Sequence, residues 1–253
     1  MKKFPLFMLA MLFVLSIVSA SEYVIYTELI GKSQFLDESG KLTGSSVDIV
    51  REIQNRLGDT TEIKEVPWAR GYNELQMKDN VILFSTTLTD ERRDMFKWAG
   101  PVLREIWAFY VKKDSGVVIN SLDDAKGLKR IGTYREDARE QYLISQGFEN
   151  IDSNTDSRNN VKKLQTGRVD AVIDSPVSFA DTCRNSGLDP DDFEQAFIVK
   201  DVNLYITFSK DFNEEAFLSW RDTLEGLYTD GKFAEIYQKW YPDSPLPEFT
   251  IVE

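Results

Sequence analysis

No histidine occurs anywhere in the 253 residues. That absence removes the commonest general base, every Ser-His or Cys-His nucleophile pair and the commonest zinc ligand, so most hydrolase chemistries are excluded at once. Cysteine occurs once, as Cys183, so no disulfide can form within the chain and stability has to come from buried cores. Excess positive charge is missing as well: 30 Lys and Arg stand against 42 Asp and Glu, a formal net charge of −12. Nucleic acid is a poor partner for such a surface. A negative total still permits an anionic ligand, because a recessed site is governed by the charges and dipoles that line it. Internal repeats and low-complexity segments are also lacking.

One long apolar run is present, from Phe4 to Val18, preceded by Lys2 and Lys3 and free of acidic residues. It reads as a secretory signal, too short for a confident membrane span. Ala20, with Val18 two positions before it, offers a cleavage site ahead of Ser21, and no cysteine stands at the cut to carry a lipid anchor. The expected mature protein starts at residue 21 and works in the periplasm. At 42% hydrophobic and 12% aromatic residues it has enough apolar material for two modest cores, and two lobes fit its length better than one.

Beyond the signal, β-rich apolar runs alternate with amphipathic helical stretches, the pattern of an α/β architecture with largely parallel strands. Strands are expected at Tyr23–Tyr26, Glu62–Val66, Val81–Thr86, Ile106–Lys112, Arg130–Thr133, Val169–Asp174 and Asn203–Phe208. Gly40 to Gly44 reads as a turn, after which Ser45 or Ser46 is expected to cap a helix with Ile49, Ile53 and Leu57 on one face and Gly58 at its end. Near the C-terminus, Phe217, Trp220, Leu224 and Leu227, then Phe233, Ile236, Tyr237 and Trp240, follow helical spacing and read as core.

Ligands of open α/β sheets gather beyond the carboxyl ends of strands, where helix N-termini present free N–H groups. Three polar clusters occupy such positions. In Ser85-Thr86-Thr87-Leu88-Thr89-Asp90-Glu91-Arg92, hydroxyls and backbone N–H groups can surround a carboxylate while Arg92 meets it through two parallel bonds. Alternatively Arg92 or Arg93 pairs with Asp90 or Asp94. In Tyr134-Arg135-Glu136-Asp137-Ala138-Arg139 the acidic residues serve either a ligand or the dipole of the helix they begin. Asp174, followed by Ser175-Pro176, either receives a ligand ammonium group or caps the next helix. A carboxylate receptor and an ammonium receptor together match an α-amino acid.

Taken in order, several segments resemble the family 3 extracellular solute-binding proteins, the amino-acid receptors of ABC importers. They are Gly40-Lys41-Leu42-Thr43-Gly44 with Val47-Asp48-Ile49, then Thr89-Asp90-Glu91-Arg92 with Phe96 and Gly100-Pro101, then Gly167-Arg168-Val169-Asp170-Ala171, and finally Asp230-Gly231-Lys232 with Ile236-Tyr237-Gln238-Lys239-Trp240. Pro67-Trp68-Ala69-Arg70 and Asp137-Ala138-Arg139-Glu140 resemble a branch with Pro-Trp-x-Arg and Asp-Ala-x-Glu signatures. The resemblance implies a two-lobed periplasmic-binding-protein fold of type II, each lobe a mostly parallel sheet flanked by helices. Lobe one would comprise 21–103 with 204–253, lobe two 107–199, and the crossings 104–106 and 200–203.

The resemblance also implies that Arg92 clamps a ligand carboxylate beside Ser85 and Thr87, with Tyr26, Glu28, Trp68 and Arg70 on the same lobe, and that Tyr134, Arg135, Asp137 and Asp174 face them from the other. Many relatives carry a proline-rich aromatic segment after the first strand, whereas this chain reads Ile30-Gly31-Lys32-Ser33-Gln34-Phe35. Tyr26, Phe35 or Trp68 would then replace the covering ring, and Lys32 is either a solvated charge or a receptor for a second acidic group. The strand before Asp174 is also one residue shorter than in many relatives, so Asp174 or Ser175 takes the ammonium-binding position. The function implied is capture of an amino acid or related carboxylate by hinge closure, as a monomer without cofactor or metal, and delivery to an ABC permease. Two alternatives share the fold: a dehydratase using acidic side chains such as Glu28, Glu136 and Asp137, and a ligand sensor that contacts a signalling receptor.

Overall fold

Two strands of 16 residues each set the architecture, because both run through the two halves of the molecule. The computed structural model describes residues 23–252; the expected signal segment lies outside them. In chain order the elements are β1 (Val24–Thr27), β2 (Phe35–Leu36), β3 (Leu42–Thr43), α1 (Ser45–Leu57), β4 (Ile63–Glu65), α2 (Trp68–Met77), β5 (Val81–Thr87) and α3 (Asp90–Arg93). Next come β6 (Lys97–Lys112), α4 (Leu122–Lys126), β7 (Ile131–Tyr134), α5 (Ala138–Ser145), β8 (Ile151–Asn154) and α6 (Ser157–Gln165). The chain ends with β9 (Ala171–Asp174), α7 (Pro176–Asn185), β10 (Phe193–Phe208), α8 (Glu214–Thr229) and α9 (Lys232–Trp240).

The main sheet has the order β4-β1-β5-β10-β6-β9-β7-β8. β4, β1 and β5 are parallel at one end and β9, β7 and β8 at the other, while β10 and β6 run antiparallel to each other and to β5 and β9 respectively. Each end is therefore a small α/β lobe, and the long hairpin-like pair joins them. The register of that pair shifts between Ile198 and Lys200 and again between Leu204 and Ile206, on either side of the stretch where Arg104–Ile106 faces Asp201–Asn203. The long strands exceed the sequence expectation, which saw only Ile106–Lys112 and Asn203–Phe208. The missing halves carry charge and proline, Lys97 and Pro101 in one, Glu194, Lys200 and Asp201 in the other, and sequence alternation was lost there.

Each lobe fills its core by the expected periodicities. In α1, Val47, Ile49, Val50 and Ile53 are buried against the sheet, and Gly58 ends the helix in the left-handed region at φ 67. Burying each such aliphatic side chain contributes roughly 1.5–3 kcal/mol. The N-cap of α1 is Gly44 rather than Ser45 or Ser46; both serines lie inside the helix and are buried. Leu57, expected on the buried face, is 37% exposed at the last turn. Phe217, Trp220, Leu224, Leu227, Phe233, Ile236 and Tyr237 join the main core, which runs through both lobes along β6 and β10. Trp240 instead donates its indole N–H to Asp48 and packs edge-on to Phe35. A second cluster, with Tyr26, Trp68, Tyr72, Phe96, Trp98 and Tyr205, fills the other face of the first lobe. A third, around Tyr110, Phe179, Cys183 and Phe193, does the same for the second.

Candidate functional site

Ser85 is the point where β5 stops behaving as a regular strand. Thr86 pairs with Tyr205 and Phe84 with Ile206, so Ser85 is the extra residue of a bulge, and its φ of 61 lies in the left-handed region. Bulges re-aim side chains at sites next to sheets. Here the hydroxyl of Ser85 donates to Ser46 Oγ at 3.1 Å and accepts from the Gln34 amide. Beyond β5, the single turn of α3 seats Arg92, whose residue is 1% exposed. Its guanidinium lies over Tyr72, 4.5 Å from the ring centroid, and over Trp68 at 5.3 Å. Among the described residues, no ion pair joins Arg92 to Asp90 or Asp94.

Arg92 reaches the second lobe directly. Nε donates to Gln141 Oε1 at 2.9 Å, Nη2 donates to the Glu136 carbonyl at 2.9 Å, and Nη1 is buried without a hydrogen-bond partner. The two-bond clamp expected from sequence is therefore not available to a ligand in this conformation; Nη1 is unpartnered but buried. Burial lowers the guanidinium pKa, and the nearby Tyr72 and Asp137 oppose that shift.

The Glu136 carbonyl also accepts the indole N–H of Trp68 at 3.1 Å. Its orientation follows from the backbone: Glu136 has φ 60, and its N–H is held by Glu140 Oε2 at 2.7 Å while Glu140 Oε1 accepts from Thr133 at 2.8 Å. Tyr134, at the end of β7, donates its hydroxyl to Glu28 Oε1 across the cleft at 2.7 Å, and the Trp68 N–H donates to the same oxygen at 3.2 Å. Burial pushes the Glu28 carboxyl up to about 7 in spite of those two donors.

On the second lobe, Asp137 caps α5 and meets Arg139, whose Nε and Nη2 donate to its two oxygens at 2.6 and 3.2 Å. Arg139 Nη1 donates to Asp174. Burial opposes the charge on Arg139, yet Asp137 and Asp174 hold its pKa above the usual value. Burial likewise pushes against the Asp137 charge, but Arg139 outweighs it and Asp137 lies below the ordinary carboxylate range. For Asp174 burial wins over Arg139, and its pKa is raised. Glu105, from the middle of β6, is pushed by burial up to about 7.

These groups enclose a cavity of about 1040 Å³ between the lobes. Of the residues singled out from sequence, Arg92, Thr87, Ser85, Glu28, Trp68, Tyr134, Asp137 and Asp174 line it. Tyr26 does not; it is buried in the aromatic cluster behind Trp68, where a strand position facing α2 places it. Arg70 is exposed on α2 toward Glu74, and Arg135 is exposed while its backbone N–H continues the β7–β8 ladder to Asn154, so neither lines the cavity. Asp174 is not the cap of α7: Ser175 is, accepting from Ser178 N, and Ser175 also lines the cavity. Phe35 and Lys32 are wall residues too.

Other wall residues were not singled out beforehand, Arg139, Glu105 and Gln34 among them. Arg139 carried a signal, since it follows a cap aspartate by two residues. Glu105 and Gln34 carried none, being polar positions in segments whose strand geometry was not legible. Among the described residues, no group of three acidic, cysteine or histidine side chains could hold a metal ion.

With two α/β lobes, paired long strands between them and a charged cavity at their junction, comparison with known proteins becomes decisive. The model of the bacterial extracellular solute-binding proteins, family 3, matches residues 32–243. The chain belongs to that family. It is 24% identical over 210 residues to the L-cystine-binding protein TcyJ of Escherichia coli, covering 82% of this chain and 77% of that protein. A probable amino-acid ABC transporter-binding protein of Haemophilus influenzae is 27% identical over 219 residues, with 82% and 79% covered.

Solved structures share the fold of this solute-binding protein. A histidine kinase sensor domain with similarity to periplasmic binding proteins has a TM-score of 0.76 at 17% identity, over 87% of this chain and 96% of that one. An ancestral arginine-binding protein bound to arginine gives 0.72 at 24%, over 87% and 97%. The family and these relatives are binding proteins, and the solute-binding proteins act outside the cytoplasm.

Proposed function

We propose that this solute-binding protein captures a small carboxylate-bearing ligand, an amino acid or a close relative, and delivers it to an ABC permease. The observation that carries the reading is the buried Nη1 of Arg92, a cationic donor with no partner, in the wall of an interlobe cavity beside Ser85 and Thr87. A desolvated charge of this kind is costly unless something anionic meets it. The named ligands of the relatives, L-cystine and arginine among them, are amino acids. The cavity volume lies at the upper end of the roughly 300–1,000 Å³ usual for small-molecule sites, room for an extended amino acid.

In this reading lobe one is 21–103 with 204–253, lobe two is 107–199, and bending occurs at 104–106 and 200–203. The exported chain, its first 20 residues removed, works as a monomer in the periplasm. Ligand meets Arg92 first, and closure then adds the contacts of Tyr134, Glu136 and Gln141 to the first lobe, so that ligand shifts the open–closed equilibrium by its differential affinity. Burial accounts for the high pKa of Glu28 and of Glu105, so those shifts give no separate support to acid–base catalysis.

The test is calorimetric. A thermal-shift screen of the mature protein against the amino acids, L-cystine, dicarboxylates and polyamines identifies the responding class, because a bound ligand raises apparent stability. Arg92→Ala should then weaken binding of the responding amino acid by about tenfold or more, the effect of losing a charge-assisted hydrogen bond. A smaller loss, or a response to polyamines alone, would overturn the reading.

A further inference from the structure

Among the described residues, two that line the cavity each hold a buried polar atom without a partner, and the two atoms are of opposite kind. One is the donor Nη1 of Arg92; the other is the acceptor Oε1 of Gln34, a residue with no exposed surface. The orientation of the Gln34 amide follows from its neighbours. Ser85 gives its hydroxyl proton to Ser46, so Ser85 Oγ accepts from Gln34 Nε2, and Oε1 is the end left over.

The loop that carries Gln34 is held on three sides. Ile30 and Gln34 bridge each other, with the Ile30 N–H donating to the Gln34 carbonyl at 2.8 Å. Ser33 Oγ and the Tyr241 hydroxyl are 2.9 Å apart, tying the loop to the end of α9. Gly44 presses its bare α-carbon against the same backbone: a Cβ there would stand 2.3 Å from the Ser33 oxygen and 2.9 Å from the Gln34 nitrogen, at φ 130. Such close approach is open only to glycine. A buried acceptor positioned this firmly costs stability unless a donor meets it.

The carboxylate first expected to play that part already uses one of its oxygens. Asp174 Oδ1 accepts from Arg139 Nη1 and from the Ser175 N–H at 2.8 Å. We infer that Gln34 accepts a hydrogen bond from the α-ammonium of the bound amino acid, so that the first lobe alone holds both ends of the head group. The inference rests on the amino-acid reading of the cavity. It makes Gln34 a residue that separates amino acids from simple carboxylic acids, because a buried acceptor left without its donor penalises the analogue that lacks the amine.

The experiment compares wild type, Gln34→Leu and Gln34→Glu by calorimetry. The probes are the amino acid giving the largest thermal shift among the common L-amino acids and L-cystine, and its amine-free carboxylic acid, for L-arginine 5-guanidinopentanoate. Gln34→Leu should weaken the amino acid about tenfold or more while leaving the amine-free acid as tight as in wild type or tighter, and Gln34→Glu should keep amino-acid binding close to wild type. The ratio of the two affinities does not depend on how much of a variant is folded. Equal losses for both probes, or no loss for either, would overturn the role of Gln34 and leave the amino-acid reading standing. A wild-type protein that binds no amino acid would overturn both.

Discussion

The hydroxyl of Tyr134 on the second lobe donates to Glu28 Oε1 on the first at 2.7 Å, a direct bond across the cleft to a carboxyl pushed up to about 7. The two lobes are thus linked through a group that titrates near neutrality. Burial is the main cause; the bonds from Tyr134 and from the Trp68 N–H pull the other way without cancelling it.

A pH dependence follows. The folded protein keeps a proton on Glu28 that the unfolded chain, with an ordinary value of 4.5, has already released. The stabilisation is complete below 4.5 and is lost as pH rises through about 7. Glu105 acts in the same window and with the same sign. Melting temperature should therefore fall between about pH 4.5 and 7 in wild type, and fall less steeply in Glu28→Gln, which keeps an acceptor for Tyr134. An unchanged slope in the variant would refute the assignment.

Gln141 supplies the acceptor for Arg92 Nε from the second lobe, a contact made across the cleft. Gln141→Leu should raise the ligand dissociation rate by about 2–10-fold, the worth of one hydrogen bond, and leave the association rate near wild type. Stopped-flow fluorescence with a responding amino acid reads both rates. A slower association with unaltered dissociation would mean that Gln141 acts before closure.

Arg139 stands between Asp137 and Asp174, all three enclosed by the second lobe and the cavity. Arg139→Met leaves two carboxylates without their cation and should cost about 3–5 kcal/mol in urea denaturation. Adding Asp174→Asn should recover part of that loss, since one of the stranded charges is then gone. A cost below about 1 kcal/mol for the single variant would show the triad to be poorly coupled.

The comparison of sequence with structure divides along physical lines. The α1 stripe of Ile49 and Ile53, the strand Val81–Thr87 and the aromatic ladder of α8 and α9 were legible because local periodicity and burial coincide there. Arg92 was marked by a strand followed by hydroxyls and a short helix, and it does line the cavity, whereas its bonds to Gln141 and Glu136 left no mark in the sequence. The full length of β6 and β10 was not legible, since the half of each that was missed, 97–105 and 193–202, owes its strand form to pairing with the other strand and not to its own residues.

By itself, then, the chain determined its two-lobed class, the strands and helices that local pattern encodes, and the place of one arginine in the cavity wall. Tertiary structure alone decided which polar atoms meet. It turned two nitrogens of Arg92 onto the opposite lobe, moved Tyr26 and Arg70 out of the wall, tied one oxygen of Asp174 to Arg139 and brought Gln34 beside Ser85 across 51 positions of sequence. The reason is that side-chain hydrogen bonds are short and directional, so a strand bulge at Ser85 or a glycine at Gly44 redirects them by whole partners, and neither leaves a periodic trace in the sequence.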